Sequence, residues 1–369
     1  MRYIGNDIKM TVNKLTVSYN DEGPDGNRVI IFIHGFPLNK SMWNKQTETL
    51  KDNYRVLTYD IRGHGNSEAG DEDFSIELFV NDLLNFIDAL KIDKTILCGL
   101  SMGGYIALNA IESFPERFEA LILSDTNCKA DMPEAKEKRM NAIKSIKENG
   151  VAKYADESLK KLFAPESFTA HVKEIAAARE MIVKSTKQSL YNTLHALADR
   201  KETYSKLQVI KVPVLIMVGK EDVITPPETA RLMHEKIKHS FLHIIDHAGH
   251  LSNMENPGEF NDQLKKFVTS VFQKPDAPQK ENQRATDGQN LRKTVNYEET
   301  EKDLNSKILK VTMTIKDQYP ELSGFLEEMP ATIPAEKNPE ITLKNLSTYY
   351  ESLNSMLNKY KLEHPEISK

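Results

Sequence analysis

The chain has 369 residues, long for a single hydrophobic core, so two units are expected. It carries 28% charged and 39% hydrophobic residues and a net charge of −5, an ordinary globular composition whose sign argues against a nucleic-acid or anionic-membrane partner. Two cysteines, Cys98 and Cys128, are too few for a disulfide framework, and no apolar stretch reads as a secretory signal or a bilayer span, so a cytoplasmic protein is the expectation.

In chain order, residues 15–19 alternate as a strand does, and a turn cluster follows at residues 21–26. Val29-Ile30-Ile31-Phe32-Ile33 is too continuously apolar for an amphipathic edge and predicts a central parallel strand. That strand delivers His34-Gly35-Phe36-Pro37, where the chain must turn. A helix is expected over residues 41–51 and a strand over 54–59, which opens into Asp60-Ile61-Arg62-Gly63-His64-Gly65-Asn66-Ser67. A helix over 76–90 precedes an apolar strand over 94–100.

The strand over 94–100 ends in Gly99-Leu100-Ser101-Met102-Gly103, and helical sequence begins at once behind it. This strand-turn-helix context is what a G-x-S-x-G nucleophile elbow requires. The turn is so tight that a Cβ two residues before or after the serine would strike the neighbouring strand or helix. Its product is a hydroxyl lifted clear of the sheet at a helix N-terminus, where free N–H groups favour developing negative charge. Cys98, inside the strand, reads as a small core residue.

A further strand over 118–123 completes a strand-helix alternation that means an α/β unit with a mostly parallel sheet. From Asp131 to about Tyr204 the period is helical, with Asp131 as expected N-cap, Pro133 in the first turn and Gly150 as a stop. Strands return at 212–218 and 240–245, and an amphipathic helix over 257–272 closes the unit. The expected organisation is a sheet core over 1–127 and 205–273, a helical cap over 128–204, a polar linker over 274–303 and a small helical module over 304–369. In that module Ile308, Val311, Ile315 and Tyr319 share one helical face, and Leu346, Tyr349, Tyr350, Leu353, Met356, Leu357 and Tyr360 another, with Leu322, Phe325, Leu326 and Met329 between. So small a module is expected to dock onto the first unit or to self-associate as a homo-oligomer.

A serine hydroxyl needs a base within hydrogen-bond reach, and the base an orienting partner. The candidate base is His250, in the loop after the last strand, with His243 and His247 as rivals. Their H-x-x-x-H-x-x-H spacing lacks the fixed helical face of a zinc motif. The candidate acid is Asp222 in Gly219-Lys220-Glu221-Asp222, with Glu221 and Asp125 as rivals. Oxyanion donors are the amides of Met102 and Phe36. Arg62 and His64 read as locks of their own loop. Trp43, Leu162, Phe163 and His195, with Met140 and Met181, are candidates for the pocket or for core packing.

Five motifs in order, His34-Gly35-Phe36-Pro37, the Asp60–Ser67 loop, the elbow, Gly219–Asp222 and Gly249-His250, resemble the α/β-hydrolase superfamily over roughly residues 10–273. Within it the chain is similar to the carboxylesterase and 3-oxoadipate enol-lactonase group. The resemblance implies an eight-stranded, mostly parallel sheet with the helical cap over a Ser-His-Asp triad. It also implies hydrolysis of a small carboxylic ester or lactone with no cofactor. Carbon–carbon bond hydrolysis or perhydrolysis would use the same residues, and a scaffold acting through the C-terminal helices is the non-catalytic alternative. Activity is expected to fall as His250 protonates, at about 6.5 if unperturbed.

Overall fold

A computed structural model describes residues 4–26 and 28–272 and, near the C-terminus, 307, 308, 311–315, 319–322, 346, 349, 350, 353, 357 and 360. The chain divides into two units, Met1–Pro278 and Gln279–Lys369.

The first unit runs β1 (Gly5–Val12), β2 (Leu15–Glu22), β3 (Val29–Ile33), α1 (Asn44–Leu50), β4 (Arg55–Tyr59), α2 (Ile76–Ala89), β5 (Thr95–Leu100), α3 (Met102–Ser113) and β6 (Phe118–Ser124). Then come α4 (Pro133–Leu162), α5 (Ser167–Ala170), α6 (Val172–Val183) and α7 (Lys187–Asp199), and the unit closes with β7 (Val214–Gly219), α8 (Pro227–Lys236), β8 (Ser240–Ile245), α9 (Ser252–Glu255) and α10 (Pro257–Phe272). The strands form one eight-stranded sheet in the order β1-β2-β4-β3-β5-β6-β7-β8. The β1–β2 and β2–β4 pairs are antiparallel, and every pair from β4 to β8 is parallel.

The continuous apolar runs are explained by burial on both sheet faces. In β3, Ile31 and Ile33 join a core with α2, α3 and α8, while Ile30 and Phe32 join a second core with α1 and α10. In β5, Leu97 faces the first core, and Ile96 and Cys98 the second. Parallel strands covered on both faces have no polar side to show, which is why they read as unbroken hydrophobic segments.

The four helices α4 to α7 form an insertion between β6 and β7. Gly150 breaks α4 with φ 84° and ψ 171°, a conformation that favours glycine. The N-cap of α4 is Met132, not Asp131. Asp131 instead pairs with Arg139 and, at 2.5 Å, with Arg200 at the end of α7. Arg200 also donates to the Lys129 carbonyl and lies 4.4 Å over the Tyr105 ring in α3. The amides of Thr203 and Tyr204 both reach the Cys128 carbonyl, at 2.8 and 3.1 Å. The insertion thus leaves and rejoins the sheet unit at one place.

In the second unit, Ile315, Tyr319, Leu322, Leu353 and Leu357 form a small core, with Ile308, Val311, Tyr349 and Tyr360 packed against it. The two helical faces read from the sequence meet in this cluster. The linker expected over 274–303, together with Phe325, Leu326, Met329 and Met356, lies outside the described residues. No described helix is long and apolar enough to cross a membrane.

Candidate active site

β5 ends at Leu100 and α3 starts at Met102, so the single residue Ser101 makes the whole turn, with φ 54° and ψ −113°. The flanking glycines make this turn possible. A Cβ on Gly99 would fall 2.2 Å from the Gly103 carbonyl oxygen, and one on Gly103 would fall 2.2 Å from that of Ile33. No methyl group fits at either distance. The Ser101 amide donates to the Ser124 carbonyl at 3.0 Å, and its carbonyl accepts from Thr126 Oγ1 at 2.7 Å. The end of β6 therefore grips the elbow from behind. Ser101 is 8% exposed. The Met102 amide opens α3, where a helix has no internal acceptor for its first N–H groups.

The loop after β3 lies against this turn. A Cβ on Gly35 would be 3.4 Å from that of Ser101. His34 holds the loop from within. The Ile61 amide donates to its Nε2 at 3.0 Å, which leaves the ring proton on Nδ1, 3.0 Å from the Gly35 carbonyl. Burial pushes the His34 pKa well below the ordinary imidazole range, so the ring is neutral. Phe36 follows at the face of the insertion: it packs both on the sheet core and on a cluster of Ile143, Ile146, Leu190 and Leu194 in the inserted helices.

His250, in the turn after β8, places Nδ1 2.8 Å from Asp222 Oδ2. Asp222 is fixed by three further bonds, from the amides of Ile224 and Thr225 and from Thr225 Oγ1. The rivals are placed elsewhere. His243 pairs with Glu259, and the exposed His247 with Glu166, each through a different carboxylate. Glu221 uses its amide to bond the Ala248 carbonyl. Among the described residues no three His, Cys, Asp or Glu converge as a metal-holding group.

Burial disfavours the His250 imidazolium, but the Asp222 charge and hydrogen bond, with Asp125 and Glu255 behind them, outweigh it and hold the pKa above the ordinary value. Burial also works against the Asp222 carboxylate, and there the His250 charge and bond prevail and lower the pKa. Asp125 lies at the end of β6, accepting from Ser124 Oγ at 2.6 Å, Ser252 Oγ at 2.5 Å and the Gly219 amide at 2.8 Å. Burial and the nearby Asp222 charge push its pKa up to about 7.

The expected pocket residues separate. Trp43 is fully buried between Phe32 and Phe260, ring centroids 4.9 and 6.2 Å away, and serves as core. His195 is exposed on α7, which removes it from any enclosed pocket. Leu162 and Phe163 are buried where the insertion meets the His250 turn. Met181 is buried in the same core and Met140 is 38% exposed. An apolar crevice of about 460 Å³ between α3 and residues 203–212 contains none of the site residues.

Residues 28–257 match the family described as alpha/beta hydrolase fold. The chain belongs to the α/β-hydrolase family. It is 30% identical over 256 residues to 3-oxoadipate enol-lactonase 1 of Acinetobacter baylyi, covering 69% of this chain and 94% of that protein. Among solved structures, a thermophilic esterase from Thermogutta terrifontis is 31% identical with a TM-score of 0.68, covering 72% of this chain and 98% of that one. The enol-lactonase of Burkholderia xenovorans is 28% identical with a TM-score of 0.67, covering 71% and 100%.

In this α/β-hydrolase the sequence motifs do not disclose Glu255. It is 2% exposed and accepts from the Gly249 amide at 2.9 Å, the Ala164 amide at 2.7 Å and Ser167 Oγ at 2.6 Å. Leu251 adds a bond from its amide to the Leu162 carbonyl at 3.2 Å. The turn that carries His250 is thereby stitched to the insertion on both sides of the histidine. The only sequence signal was an acid five positions beyond it. Arg62, by contrast, does lock its loop, through Asp82 and Glu72.

Proposed function

We propose that the protein hydrolyses a small carboxylic ester or lactone through an acyl-enzyme on Ser101. The observation that supports this best is the His250–Asp222 hydrogen bond, formed from loops at the same sheet edge that carries the strained serine. With Nδ1 committed to Asp222, Nε2 is the nitrogen left to take the Ser101 proton. Ser101 Oγ attacks the substrate carbonyl while His250 receives its proton. The oxyanion is met by the Met102 and Phe36 amides, and the imidazolium returns the proton to the leaving alkoxide. Water, activated by the same imidazole, then releases the acid. Neither a metal nor an organic cofactor enters this sequence.

The names of the relatives, enol-lactonases and an esterase, agree with this chemistry. Two free, buried cysteines suit a reducing compartment such as the cytoplasm. The test is Ser101→Ala assayed with p-nitrophenyl esters and a fluorophosphonate label. Turnover and labelling should both vanish, a loss of at least about 10³-fold, with unfolding unchanged. Full activity in that variant would discard the nucleophile.

A further inference from the structure

On the reading that Ser101 is the nucleophile, we infer that Asp125 is a positioning residue of the reaction. Its buried carboxyl ties the strand end that grips the Ser101 elbow to the loop of Asp222 and to the turn of His250. The three proposed catalytic side chains come from three separate connections, after β5, β7 and β8. Their relative placement depends on what joins those connections, and residues 124–126 touch all three. The Ser124 carbonyl accepts from the Ser101 amide at 3.0 Å, and Thr126 Oγ1 donates to the Ser101 carbonyl at 2.7 Å. Between them, the Asp125 amide donates to the Met217 carbonyl of β7 at 2.9 Å. Asp125 Oδ1 accepts from the Gly219 amide at 2.8 Å, at the start of a turn that the Asp222 amide closes by donating to the Gly219 carbonyl. Asp125 Oδ2 accepts from the hydroxyl of Ser252, two residues beyond His250. The acid loop and the base turn are themselves in contact, since a Cβ on Gly219 would fall 2.0 Å from the Gly249 carbonyl oxygen.

The fold alone gives little reason for a carboxyl at this place. Asp125 is fully buried, and burial and the Asp222 charge both disfavour its ionised form. It also takes φ 44°, a left-handed backbone that a residue other than glycine adopts only where its surroundings hold it. A packed apolar side chain would carry no desolvation cost. What the carboxyl supplies instead is acceptors directed at two connections at once, one oxygen for the Gly219 amide and the other for the Ser252 hydroxyl. Such a tether bears on rate because a misplacement of about 1 Å at a reacting group can cost about 10²-fold.

The experiment uses Ser252→Ala, which removes the tether to the His250 turn alone, and Asp125→Ala, which removes the tethers to both connections. Rates with p-nitrophenyl butyrate are divided by the concentration of Ser101 that a fluorophosphonate labels to completion, so misfolded protein does not count. Per labelled site, kcat should fall about 10-fold in Ser252→Ala and about 10²-fold in Asp125→Ala, with KM within about threefold of wild type in both. The double variant should be no slower than Asp125→Ala, whose Ser252 hydroxyl has already lost its acceptor. Losses that multiply in the double variant overturn the inference. A purely structural role would lower the urea midpoint and leave kcat per labelled site unchanged, and that result also overturns the inference while leaving the hydrolase reading intact. Where Asp125→Ala does not fold, Ser252→Ala decides on the same criterion. Wild-type protein that neither labels nor turns over the ester would remove the hydrolase reading and this inference with it.

Discussion

Replacing Glu255 by alanine should loosen the helical insertion from the turn that carries His250. Three buried donors lose their acceptor: the Gly249 amide, the Ala164 amide and the Ser167 hydroxyl. A buried polar group left bare costs about 1–3 kcal/mol, so the simple sum is about 3–9 kcal/mol. The wild-type carboxylate is itself desolvated, which raises its pKa and offsets part of that sum. The expected loss is therefore near the lower end, about 3 kcal/mol, a large share of the 5–15 kcal/mol typical of a folded domain. Urea unfolding followed by Trp43 fluorescence isolates the sheet unit, because the single tryptophan sits in its core between Phe32 and Phe260. Ser167→Ala alone should cost about 1 kcal/mol and nothing further in the Glu255→Ala background. A loss below about 1 kcal/mol for Glu255→Ala, or full additivity of the two changes, would refute the idea that these bonds seat the insertion.

The remaining expectations concern protons and packing. His250 must be neutral to act as a base and its pKa is raised, so the acid limb of kcat/KM should lie above 6.5. Asp222→Asn should move that limb down and lower kcat by about 10³–10⁴-fold; an unshifted limb would mean another group titrates. Asp125 holds its proton up to about 7 in the fold, against 3.8 for a free carboxyl. Between those values the native state binds a proton that the unfolded chain has released, so this group makes stability fall as pH rises. Asp125→Asn should flatten the stability–pH curve over that window, as urea midpoints across it would reveal. Gly103→Ala places a methyl 2.2 Å from the Ile33 carbonyl and should destabilise by about 3 kcal/mol with loss of esterase activity, measured by unfolding and turnover.

What was legible in the sequence shares a physical origin. β3 and β5 are covered on both faces and so read as apolar runs, and the elbow is readable because two glycines are forced by backbone contacts of 2.2 Å. The pairing of Asp222 with His250 was anticipated from their order and loop positions, and the hydrogen bond places them together. The edge strand β1 was harder to see, since most of its side chains meet solvent. Asp131 looks like a helix cap locally, but its decisive partner, Arg200, is 69 positions away. Glu255 finds the Ala164 amide across 91 positions. For Trp43 and His195 residue type alone leaves pocket and core packing both open. Which face a side chain takes is settled by tertiary packing, and α7 turns His195 outward while the sheet encloses Trp43.

The shared root of the insertion, where Cys128 accepts from Thr203 and Tyr204 and Arg200 ties down Asp131, has an evolutionary consequence. A segment whose two ends already touch imposes no span on its host, so its length and contents can change without restringing the strands beneath. The insertion can then be rewritten alone, while the sheet unit is inherited intact. Grafting the insertion of a related hydrolase between Cys128 and Thr203 should therefore leave the sheet unit folded, as urea unfolding followed by Trp43 fluorescence would report.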